Sequence, residues 1–204
     1  MIDEKSGIAT RESAWKDGKE VSGVNLVSGG YYLIPKQVTV ENTVDINRIG
    51  LQVTDLTISS NCCNDLKELD LNKYKRLQSI EIGNDCFDSV QTFQIDGLNQ
   101  LKTIKIGNNS FTQKKNNWGD DESKSFHILN CESLEFIQIG EYSFSDFGGE
   151  FELKNLPQLQ SIQIGTIGRY SFNFCNSSFV IRGIELILNI VMIRSSKSTI
   201  HYIR

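Results

Sequence analysis

Leu77-Gln78-Ser79-Ile80-Glu81-Ile82-Gly83 decides how this chain is built, because it comes back three times. It returns as Leu101-Lys-Thr-Ile104-Lys-Ile106-Gly107, Leu134-Glu-Phe-Ile137-Gln-Ile139-Gly140 and Leu159-Gln-Ser-Ile162-Gln-Ile164-Gly165. The closing glycines lie 24, 33 and 25 residues apart, and self-similarity at such a period marks one layer of a stack rather than a free-standing domain. The I-x-I alternation is the period of a strand with one face buried. Stacking identical strands makes a parallel sheet that grows by one strand per unit.

Extended outward, the apolar positions read F-x-I-x-x-L-x-x-L-x-x-I-x-I. One unit gives Phe93, Ile95, Leu98, Leu101, Ile104 and Ile106; another gives Phe151, Leu153, Leu156, Leu159, Ile162 and Ile164. The apolar stretch from Phe179 to Met192 fits as well, through Phe179, Ile181, Ile184, Ile187, Ile190 and Met192. Upstream, Leu69, Leu71, Tyr74, Leu77, Ile80 and Ile82 fit. The unit before keeps only Val53, Leu56 and Ile58, and Val21, Val24 and Leu26 read as an earlier, worn copy. A second short strand is expected at F-x-I. The glycine after I-x-I is expected where the backbone turns sharply or takes positive φ. Cys86-Phe87, Ser110-Phe111, Ser143-Phe144 and Ser171-Phe172 follow the glycines, which predicts a ladder of stacked phenylalanines.

The consensus L-x-x-L-x-L of leucine-rich repeat proteins matches Leu77-x-x-Ile80-x-Ile82 and its partners, and the I-G-x-x-S-F tail resembles the BspA-like branch, which typically has I-G-x-x-A-F. The chain departs from the branch in two places: the asparagine usual after the strand is only loosely matched by Asn84, Asn108 and Asn109, and the cysteine common after the phenylalanine is missing. The resemblance spans about residues 51 to 193. It implies a mainly β, curved, right-handed leucine-rich-repeat solenoid with few helices, acting as a protein-binding module without catalytic residues, and in some members as a cell-surface adhesin. Residues 1–50 are then a degenerate N-terminal cap or worn repeats, and 194–204 a tail in which Thr199 to Ile203 forms a closing strand. Repeat stacks need capped ends, so failure of that strand to close the stack predicts end-to-end self-association.

The rest of the composition narrows function by exclusion. A net charge of −4 gives no basic track of the kind that nucleic-acid binding requires. The apolar run from Phe179 is interrupted by Arg182 and Glu185, short of the ~20 residues that span a bilayer. No secretory leader opens the sequence, so a cytoplasmic location is the default expectation, and an extracellular or cell-surface one if the chain is a fragment. Among Cys62, Cys63, Cys86, Cys131, Cys175, His127 and His201 no zinc-binding spacing occurs. Nucleotide-binding glycine motifs are absent too, so no cofactor is expected. Cys131 stands where other units have leucine and reads as a small buried apolar residue. Cys62 and Cys86 occupy equivalent positions one unit apart, near enough for a disulfide in an oxidising compartment; reduced thiols are the expectation. His127, between Phe126 and Ile128, reads as a solvated side chain on a strand.

The structural alternative is a parallel β-helix, a fold that includes carbohydrate-active enzymes. Those need carboxylates gathered on adjacent units. The outward columns of the repeated strand read Glu81, Lys105, Gln138, Gln163, Val191, then Gln78, Lys102, Glu135, Gln160, Leu188, then Ser79, Thr103, Phe136, Ser161, Asn189, with no stacked carboxylates. Opposite charges on neighbouring strands are worth about 0.2–1 kcal/mol a pair. Phe136 is the lone aromatic among these polar positions and a candidate hot spot for a protein partner, with Glu135, Gln138, Lys105 and Gln163 around it. The second candidate is Trp118, at the centre of the polar insertion 113–122 that lengthens one unit, since loops on rigid scaffolds often carry recognition.

Overall fold

The computed structural model describes residues 36–113, 121–166 and 171–184 in full, together with the backbone of short strands at 14–16, 19–21, 24–27, 30–33, 189–192 and 200–203. The chain opens with two antiparallel hairpins, β1 (Ala14–Lys16) with β2 (Lys19–Val21) and β3 (Val24–Val27) with β4 (Gly30–Leu33). Val21, Val24 and Leu26 therefore do not form a worn parallel unit. Two-residue alternation is the same in both kinds of sheet, and two-residue spacings such as Asp17-Gly18 connect antiparallel strands only.

From residue 37 the architecture changes. After β5 (Gln37–Val40) comes one turn of helix, α1 (Thr43–Ile46), whose first amides are accepted by the Asn42 side chain. Then follow β6 (Asp55–Ile58), β7 (Ser79–Ile82), β8 (Thr92–Asp96), β9 (Thr103–Ile106), β10 (Ser125–Leu129), β11 (Phe136–Ile139), β12 (Glu150–Lys154), β13 (Ser161–Ile164), β14 (Ser178–Arg182), β15 (Asn189–Met192) and β16 (Ile200–Ile203). From β7 onward successive strands alternate between two parallel sheets, a seven-stranded one ordered β15-β13-β11-β9-β7-β6-β5 and a five-stranded one ordered β16-β14-β12-β10-β8. The protein is thus mainly β, with two parallel sheets and very little helix.

The register is the one the repeat dictates. Ile82, Ile106, Ile139 and Ile164 are successive cross-strand partners, and Ile58 and Met192 extend the row at either end. In the other sheet Phe93, Phe126, Phe151 and Phe179 line up in the same way. A one-residue slip would turn every one of these side chains outward, so burial fixes the pairing. Ile200 and Tyr202 of β16 pair with Phe179 and Ile181 of β14.

Two features of the repeat differ from expectation. The second strand is absent at Leu69 and Leu71, although Leu71 is buried; the Asp70 carboxylate accepts the Asn72 N–H at 3.0 Å, a local turn that competes with a strand ladder. The phenylalanine ladder also takes a different last member. Phe87, Phe111 and Phe144 stack at 5.1 and 4.7 Å, and the next ring is Phe174, at 4.9 Å from Phe144. Phe172 instead stacks on Tyr142 at 5.7 Å. The Tyr142 N–H bonds the Ser171 carbonyl, as the Asn109 N–H bonds that of Glu141, so Ser171 is the counterpart of Glu141 and the matching Ser-Phe position is Asn173-Phe174. Extra residues after Gly165 moved the pair along the chain.

The turns that join the sheets run on hydrogen bonds between equivalent residues. Cys86 Sγ donates to the Ser59 carbonyl at 3.1 Å, Ser110 Oγ to Gly83 at 2.8 Å, Ser143 Oγ to Gly107 at 2.6 Å and Asn173 Nδ2 to Gly140 at 2.7 Å. A parallel ladder uses asparagine: Asn84 Oδ1 accepts the Asn108 N–H at 2.7 Å and Asn108 Oδ1 the Glu141 N–H at 2.8 Å. These turns would otherwise bury unpaired backbone groups. The glycines serve the same crowding. A Cβ on Gly107 would lie 2.7 Å from the Gly83 carbonyl, and one on Gly140 2.6 Å from that of Gly107. Close approach of successive backbones, not positive φ, is what those two positions require.

Candidate functional site

Both sheets present an outward face, and the two differ in chemistry. On the seven-stranded sheet, Phe136 opens β11 and is 41% exposed, in register with Thr103 on one side and Ser161 on the other. Two residues on, Gln138 stands in a row between Lys105 and Gln163. Gln138 and Lys105 are exposed, Gln163 and Glu135 half-buried. The structure therefore places Phe136, Gln138, Lys105 and Gln163 on one face across β9, β11 and β13, with Glu135 just before β11. Glu81 and Lys105 are register partners, yet among the described residues they make no ion pair, and Gln163 Nε2 donates to the Gly165 carbonyl at 3.2 Å.

Trp118 lies outside the described residues, but both ends of its insertion are anchored. The Asp146 carboxylate accepts the Gln113 N–H at 3.1 Å and pairs with Lys124 Nζ at 2.8 Å. Lys124 and Asp146 are both buried, and the ammonium lies 5.6 Å from the centre of the Phe147 ring. Asp121 forms a bridge with Phe147, and its carbonyl accepts the Gly148 N–H at 2.9 Å. Nothing in the sequence reading singled out this pair, because 22 residues separate its members and neither belongs to the repeated pattern.

On the five-stranded sheet, His127 is mostly buried rather than solvated. Its register partner on β12 is Glu152, and His127 Nδ1 lies 3.7 Å from Glu152 Oε2, with both side chains more than four-fifths buried. Glu150, two residues earlier on the same strand and so on the same face, completes a group whose ligand atoms all lie within 4.8 Å of one another. On the other side of His127 the partner is Gln94 of β8. Gln94 and Thr92 form one wall of an open cavity of about 490 Å³ whose remaining lining includes Lys67, Glu68, Asp70 and Gln91. The signal for this cluster was present in the sequence as His127 and Glu152 at equivalent positions of successive units, but the second-sheet columns had to be laid side by side to see it.

Cys62 and Cys86, expected as reduced thiols and as a disulfide only in an oxidising compartment, are not bonded to each other. Cys62 is joined to its neighbour Cys63, and Cys86, Cys131 and Cys175 are buried thiols outside that bond. Cys62 and Cys86 are equivalent in the stack, but the Cys86 sulfur points to the Ser59 carbonyl. Burial pushes the Cys86 and Cys131 thiols above their ordinary value, against the opposing pull of backbone hydrogen bonds.

No family model, curated protein or solved structure matches this chain. Among the described residues no helix is long and apolar enough to cross a membrane.

Proposed function

We propose that the protein is a non-enzymatic protein-binding module of the leucine-rich-repeat solenoid type, and that it recognises another protein through the outward face of the seven-stranded sheet. The observation that carries this reading is Phe136. A large aromatic side chain stands 41% exposed amid polar neighbours on a sheet whose opposite face is held rigid by the core. Buried aromatics with a surrounding ring of polar contacts are what protein interfaces use as anchors. Gln138 and Gln163 offer donors and acceptors at fixed spacing, and Glu135 and Lys105 offer charges of both signs, so the fitting partner brings an apolar pocket for Phe136 and a mixed polar rim.

The test is retention of partners on the immobilised chain, with affinities measured for whatever is retained. Phe136→Ala is expected to weaken binding by at least about thirtyfold, the equivalent of a ~2 kcal/mol hot spot, while Gln94→Ala on the other sheet leaves it unchanged. Equal binding by the Phe136→Ala protein would remove the face from consideration.

A further inference from the structure

We propose that His127, Glu150 and Glu152 form a binding site for a divalent transition-metal ion of the zinc class on the outward face of the five-stranded sheet. The three side chains come from two paired strands, so their spacing is set by the sheet rather than by a loop. His127 and Glu152 face each other across β10 and β12, and Glu150 follows from the two-residue repeat of β12. Donors bound to one zinc ion at ~2.0–2.2 Å lie roughly 3–4 Å apart. The 3.7 Å between His127 Nδ1 and Glu152 Oε2 falls within that span, and the ligand atoms of all three residues lie within 4.8 Å of one another.

A simple cross-strand ion pair accounts for His127 and Glu152 but leaves Glu150 without a role. Two carboxylates on one face of one strand repel, and a single imidazole, at most one positive charge, does not neutralise both. Lys154, next on the same face, makes no ion pair with either among the described residues. A divalent cation supplies the missing charge. The donor set selects its class: an imidazole nitrogen with two carboxylates suits zinc and its neighbours, whereas magnesium and calcium prefer oxygen ligands alone. Three protein ligands would leave a coordination position open, and Gln94, the other register partner of His127, lines the neighbouring cavity.

Equilibrium dialysis of the full chain, free of any histidine tag, against Zn²⁺ tests the proposal, with Co²⁺ as a coloured probe of the ligand sphere. The native protein is expected to hold Zn²⁺ that an excess of Mg²⁺ or Ca²⁺ does not displace, and to give the intense visible bands of low-symmetry Co²⁺. Glu150→Gln, Glu152→Gln and His127→Gln are each expected to weaken Zn²⁺ binding by at least about tenfold, the scale set by loss of even a supporting group around a metal. Glu150 is exposed, so its variant keeps the fold even if His127→Gln does not. Native protein that fails to hold Zn²⁺, or a Glu150→Gln protein that holds it as tightly as the native one, overturns the proposal.

Discussion

Cys86 shows how little residue identity matters at some positions and how much it matters at others. A thiol, two hydroxyls and an amide at Cys86, Ser110, Ser143 and Asn173 all donate to the carbonyl of the preceding unit. What the site demands is a small side chain with one donor. Matching letters therefore aligned Ser171-Phe172 with the other Ser-Phe pairs, while the hydrogen bonds place Asn173-Phe174 there. The buried thiols carry a consequence for pH. Because Cys86 and Cys131 hold their protons more tightly when folded, the native state binds more protons than the unfolded chain once pH passes the ordinary thiol value of about 8.5. Their contribution is complete below that value and lost as pH rises above it. Urea unfolding should show stability falling above about pH 8.5, with a shallower fall in Cys86→Ala, and the unfolded native protein should titrate three free thiols with Cys62 and Cys63 silent. Five reactive thiols would contradict the Cys62–Cys63 bond.

At the scale of elements, strands were legible and turns were not. Isoleucines two apart announce a strand with one buried face, and the repeat puts them in register. The turns are held by hydrogen bonds between equivalent residues of successive units, whereas the contacts that hold the insertion depend on residues far apart in sequence and outside the repeated positions. Lys124 and Asp146 are the clearest case. Burying two charges is costly, and the pair is worth most through what its loss would leave behind. Asp146 Oδ1 finds no hydrogen-bond partner among the described residues, so the carboxylate depends on Lys124 and on the Gln113 N–H. Lys124→Met should destabilise the protein by ~3–5 kcal/mol in urea unfolding, with Lys124→Met/Asp146→Leu recovering most of the loss. A single variant no less stable than the native chain would show that the ion pair does not anchor the insertion.

At the scale of the molecule, the sequence made the repeating unit and the first parallel sheet readable, because both follow from one buried face at a fixed period. The five-stranded sheet was readable as a row of Phe-x-Ile pairs; its beginning at β8, after the turn at Asp70, was not. The candidate site divided the same way. Phe136 stood out because an aromatic breaks a polar column. His127 did not, because its partners belong to the next unit, and only the second sheet places Glu150 and Glu152 beside it. The proposed solenoid, its binding face and its metal site all depend on units stacked in one register. Through-hydrogen-bond NMR couplings test this most directly. The amides of Gly83, Gly107, Gly140 and Gly165 should each couple to one carbonyl, those of Ile58, Ile82, Ile106 and Ile139 respectively, across bonds of 2.9, 2.8, 2.8 and 2.8 Å. Couplings to other carbonyls, or four amides that exchange freely with solvent, would contradict it.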